Sequence, residues 1–115
     1  MANYLQAGGN QSILNSSSSG AGSWYRVHPQ VRNITFQANA IGVGATIGST
    51  IIIQGSNDGV NPIATTLATI SLNSATNTAS DGFSLDAHWE YVRAQVNSLT
   101  TGMATVYASP QIGRQ

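Results

Sequence analysis

From Trp24 onward, apolar residues recur at every second position for a short run and are then cut off by Gly, Asn or Pro, and no helical period persists anywhere. A period of two broken at such intervals predicts an all-β chain. Residues 31–38 put Ile34, Phe36 and Ala38 on one side and Asn33, Thr35 and Gln37 on the other, the pattern of a strand with one wet face. Residues 46–54 carry the unbroken triplet Ile51-Ile52-Ile53, which predicts a central strand covered on both faces. Gly55-Ser56-Asn57-Asp58-Gly59 follows at once and predicts a chain reversal, because Gly, Asn and Asp accept the positive φ values of tight turns.

Further strands are expected at 24–28, stopped by Pro29, at 63–72 with Ala68, Ile70 and Leu72 on one face, and at 82–86 with Phe83 and Leu85 inward. Residues 73–82 read as a polar loop. Residues 89–97 place Val92, Ala94 and Val96 on one face and Trp89, Tyr91 and Arg93 on the other, so something must cover the second face. Residues 103–109 form a last strand ended by Pro110. Roughly seven strands with antiparallel connections predict an antiparallel β-sandwich, either a jelly roll or an immunoglobulin-like fold.

Residues 1–23 are rich in Gly, Ser, Asn and Gln, and the tract Ser16-Ser17-Ser18-Ser19-Gly20 has no apolar side chain to bury. The reading is an extended N-terminal arm (1–23) followed by one sandwich domain (24–115). The arm either stays disordered or is ordered by docking on the shell or a neighbouring subunit, with Tyr4, Leu5, Ile13 and Leu14 as its anchors, and its removal is expected to leave a folded domain that assembles less well.

Only 7% of the 115 residues are charged, with a formal net charge of zero, whereas ordinary soluble domains carry about 25%. Every basic residue is an arginine: Arg26, Arg32, Arg93 and Arg114. A surface solvated by Ser, Thr, Asn and Gln has little self-repulsion and suits a permanently assembled protein. Four scattered arginines do not make a nucleic-acid footprint, and no apolar run is long enough for a membrane span. The opening residues lack the pattern of a secretory signal, which predicts synthesis in the cytoplasm.

The inventory for chemistry is small: Asp58, Asp81, Asp86, Glu90, His28 and His88, with no lysine or cysteine. Asp86, His88 and Glu90 have alternate spacing but read as a mixed polar edge beside Trp89. Asn57-Asp58-Gly59 begins like a calcium loop but lacks the closing acid. Gly42, Gly44 and Gly48 lack the Lys-Ser/Thr pair of a phosphate loop. His28, beside Pro29, reads as a surface side chain at a strand end. No catalytic residue, metal or cofactor is therefore expected, and the protein is read as a non-enzyme. Arg32 and Arg93 are each expected to pair with a carboxylate such as Glu90, or else to project toward a partner. Trp24, Tyr25, Trp89 and Tyr91 are candidate interface anchors, with ordinary sheet packing as the alternative.

Thr50-Ile51-Ile52-Ile53-Gln54-Gly55-Ser56-Asn57-Asp58-Gly59, then Leu67-Ala68-Thr69-Ile70, then the run from Ala79 through Phe83, Trp89 and Tyr91-Val92-Arg93 to Ala94 resemble small virion proteins of tailed bacteriophages, of the capsid decoration (cement) or head-fibre type. The resemblance spans roughly residues 45–108. It implies a sandwich that binds the outside of an assembled shell, with the major capsid protein as partner, a homo-oligomeric state (a trimer favoured) and a place on the capsid surface. The same turn and the Tyr91-Val92-Arg93 strand are similar to discoidin-type carbohydrate-binding domains. These imply the alternative of a receptor- or glycan-binding module on a tail or fibre.

Overall fold

A computed structural model describes residues 3–5, 7, 9–42, 47–58, 63–74, 78–86, 88–99 and 102–111. Among these there is no helix, and two sheets face one another across a single core. The strands are β1 (Asn3–Leu5), β2 (Gln11–Ser16), β3 (Gly20–Ala21), β4 (Tyr25–Val27), β5 (Asn33–Ile41), β6 (Ile47–Ser56), β7 (Thr65–Ser74), β8 (Thr78–Leu85), β9 (Tyr91–Leu99) and β10 (Met103–Gln111). The first sheet has the order β1-β4-β9-β6-β7, and β3 also pairs with β9. The second has the order β2-β10-β5-β8. All pairings are antiparallel except that of β1 with β4.

Strand order decides between the two expected topologies. β3 and β4 pair with Val96–Gln95 and Val92–Tyr91 of β9, on the side away from β6, so they act as one interrupted strand. From β2 onward the described strands then alternate between sheets except at β6–β7, the one sequential pair among them that is also hydrogen-bonded. Sheet β2-β10-β5-β8 facing β4-β9-β6-β7 is the arrangement of a jelly roll.

The alternation read from the sequence is what fills the core. Phe36, Ala38, Ile51, Ile53, Val92, Ala94, Val96, Val106 and Ala108 are all fully buried. Phe36 pairs across the ladder with Phe83, their rings stacked at 6.3 Å. Truncating Phe36 to alanine would remove this centre at a cost of about 3–5 kcal/mol. The isoleucine triplet does lie in an interior strand, with Ile51 and Ile53 in the core and Ile52 half-buried on the outer face. The chain does reverse between β6 and β7, but later than expected: Gly55 and Ser56 are still paired within β6, and Gly59 lies outside the described residues.

Three local expectations change. Residues 78–82, expected as loop, begin β8; they read as polar because β8 is an edge strand whose two faces are both largely wet. Pro110 does not end β10 but pairs with Ile34 inside it. β2 covers β10 only from Ala104 to Ala108, so at Pro110 the strand has one open side, where proline is tolerated.

The third concerns the stretch expected as an arm. Its described part is woven into both sheets: β1 lies beside β4, β2 beside β10 and β3 beside β9. Leu5, Ile13 and Leu14 are core residues, and the Ser17–Ser19 bends link β2 to β3. Short strands at sheet edges need only a few apolar side chains, which is why a Gly/Ser-rich segment can supply them.

Candidate functional site

The outer face of the sheet containing β4, β9 and β6 gathers most of the large amphipathic side chains. In β9 the buried residues Val92, Ala94 and Val96 fix the inward set, so Tyr91, Arg93 and Gln95 point outward. Register extends this pattern sideways: Tyr4 of β1 lies beside Arg26 of β4, and Arg26 beside Tyr91 of β9. Adjacent strands are about 4.8 Å apart, so this row of Tyr, Arg and Tyr spans roughly 10 Å.

One pleat further along, Arg93 lies beside Gln54 of β6 and its Nε donates to Gln54 Oε1 at 2.7 Å. Its guanidinium stacks over the ring of Trp24, 4.5 Å from the centroid. This is the cover that the second face of β9 requires. It comes from the residue just before β4. Arg26 Nη2 donates to Glu90 Oε1 at 3.2 Å, and both side chains are 42% exposed, so the pair contributes at most about 1 kcal/mol. Glu90 is thus joined to Arg26, because β4 and not β5 runs beside β9, while Arg93 is turned to Gln54 and Trp24.

The expected anchors divide into two groups. Tyr4, Trp24 and Tyr91 meet on this face. Leu5, Ile13 and Leu14 are buried and unavailable to a partner, Tyr25 packs against the core and donates its hydroxyl to the Ser12 carbonyl at 3.4 Å, and Trp89 packs onto the core over Gly55. Arg26, Arg93 and Gln54 complete the face and were not among the anchors. Their signal is cross-strand register, which no local pattern in the sequence carries.

The remaining polar groups have local roles. His88 Nδ1 lies 3.1 Å from the Val31 carbonyl oxygen, which calls for the proton on that nitrogen. The Glu90 amide donates to Asn57 Oδ1 at 2.8 Å. With Glu90 held by Arg26 and Asp86 exposed, the alternating acids and histidine do not converge, and no metal-holding group of three occurs among the described residues.

The opposite outer face is built differently. On β5, β8 and β10 its side chains are mostly Ser, Thr, Asn and Gln, with Tyr107 at the centre and the exposed pair Ile41 and Met103 at one end. Ser80 Oγ donates to Asn39 Oδ1 at 2.6 Å, and Gln37 Nε2 donates to both, each at 3.1 Å. A shallow depression beside them is lined by Gly9, Asn10, Thr35, Gln37, Tyr107 and Ser109.

No protein-family model and no curated protein sequence matches the chain. Among solved structures, the SPBc2 prophage-derived protein YomS superposes with a TM-score of 0.60 at 19% identity, over 87% of this chain and 88% of that one. The two share a fold. A protein of Bacillus endospore appendages, disulfide-linked pili, aligns over 96% of this chain and 95% of its own at 16% identity, with a TM-score of 0.43. A CBM4 structure aligns over 87% and 67% at 9% identity, with a TM-score of 0.38. Both of these are too distant to carry an argument.

Proposed function

We propose that this protein is a structural component of a bacteriophage virion that binds the outside of an assembled capsid as a decoration or cement protein. The observation that carries the reading is the outer face of β4, β9 and β6. There Tyr4, Arg26, Tyr91, Trp24 and Arg93 stand in adjoining cross-strand rows, and Trp, Tyr and Arg are the residue types that dominate binding hot spots. The jelly roll shared with a prophage-derived protein supports it, as does a surface with so few charges.

In this reading the partner is the major capsid protein, and the sandwich acts as a homo-oligomer, a trimer favoured, seated across capsomer junctions. The function is mechanical and not enzymatic: each copy adds contact area between shell subunits. A standard stable interface buries about 1,200–2,000 Å², and attachment of linked copies multiplies its effect. A density map of purified particles tests this. Jelly-roll density on the shell with the Trp24 face turned inward is expected, together with occupancy lowered about tenfold or more by Trp24→Ala. Density confined to the tail, or particles lacking the protein, would overturn it.

A glycan-binding role on a tail or fibre is the second reading. It is favoured by Tyr107 beside the hydrogen-bonded Gln37–Asn39–Ser80 network, an aromatic platform next to fixed amide and hydroxyl groups. A glycan array showing one ligand that is lost on Tyr107→Ala would establish it in place of the first.

A further inference from the structure

Arg93 is fixed on two sides and open on a third. Gln54, itself buried, holds its Nε, and Trp24 lies against its plane. A guanidinium carries five N–H donors in a rigid fork, and among the described residues only the one on Nε is engaged. Among the described residues no ion pair to Arg93 occurs: Glu90 is held by Arg26, and Asp81 accepts the Gly82 amide at 2.8 Å. A half-buried cation with no ion pair among the described residues is a costly way to cover Trp24, since an uncharged side chain would stack there without losing hydration.

We propose that Arg93, oriented by Gln54 and Trp24, is a carboxylate-binding site that receives one acidic side chain of the partner protein docked on this face. The paired terminal N–H groups match the two oxygens of a carboxylate, and the Trp24 ring covers one face of the guanidinium. Charge complementarity selects the class of occupant. Arg26 is neutralised by Glu90, whose carboxylate would repel a polyanion, so the face offers one unmatched positive charge beside a balanced ion pair. That suits a single Asp or Glu on a protein surface and not a phosphodiester chain. The identity of the partner rests on the reading of this face as the contact face, whereas the carboxylate chemistry rests on Arg93 itself.

The test is an NMR titration of the full chain with N-acetylglutamate α-amide, compared with neutral N-acetylglutamine amide at constant ionic strength. The carboxylate probe should shift the Arg93 Nε–H and Trp24 indole signals saturably, with a Kd on the order of 1–100 mM expected for one isolated charge-assisted pair. Arg93→Gln should abolish the response. Arg93→Lys, which keeps the charge but not the fork, should weaken it by about fivefold or more and serves as the folded control if the glutamine variant misfolds. Equal shifts with the neutral probe, no saturation, or an unchanged response in Arg93→Lys would overturn the site. A protein that binds shells but ignores the probe loses the carboxylate site and keeps the decoration role. One that binds the probe but no shell keeps the site and loses the role.

Discussion

At Gly55 the backbone passes so close beneath the Trp89 indole that a Cβ would lie 2.9 Å from ring atom Cδ2 and from Leu67 Cδ1. Both obstacles are side chains, so Gly55→Ala is expected to fold with Trp89 displaced, giving a modest fall in melting temperature and a red-shifted tryptophan emission. Gly102 is held more tightly. Its φ is +79°, and an added Cβ would overlap the Ile41 carbonyl oxygen at 1.7 Å, a backbone atom that no rotamer change can move. Gly102→Ala should therefore destabilise the fold more than Gly55→Ala, with backbone strain alone of about 1–3 kcal/mol, read from urea unfolding midpoints. At this scale burial was legible wherever one face alternates, as for Ile34, Phe36 and Ala38. Partners were not: Arg26 meets Glu90 across 64 positions of sequence, and only strand order brings them together.

Among the elements, β1, β2 and β3 carry more of the structure than their composition suggests. Leu5 packs beside Val27, the His28 amide donates to the Leu5 carbonyl at 3.0 Å, and Leu14 packs against Gly22. Deleting residues 1–21 would uncover one side of β10 and of β9 and remove three core side chains. The truncated chain is expected to lose its cooperative thermal transition by circular dichroism, and a retained native melt would return the segment to the role of a detachable arm. The long strands β5, β6, β9 and β10 were readable because each has an apolar side facing a core. β1 and β3 were not, because strands of three and two residues are too short to show a period, and β2 was not because its pairing with β10 is irregular and buries the adjacent Ile13 and Leu14, which breaks the alternation. Trp24 shows the same limit, since its position over Arg93 follows from where β4 docks and not from any spacing around it.

For the molecule as a whole, the all-β class and the sandwich were written in the punctuation of the chain, but the choice of jelly roll was not, because strand order is a property of distant pairs. Nearly every pairing joins segments far apart in sequence, so refolding from denaturant is expected on the millisecond-to-second scale of non-local β proteins, measured by stopped-flow tryptophan fluorescence. Among the described strands β2 is hydrogen-bonded only to β10, and β10 sits between it and β5. An early-made strand therefore waits for the last of the described strands to emerge from the ribosome before its sheet can close. The nascent chain cannot mature piece by piece, and a copy interrupted before Met103 would be left with an open seam for proteases to find.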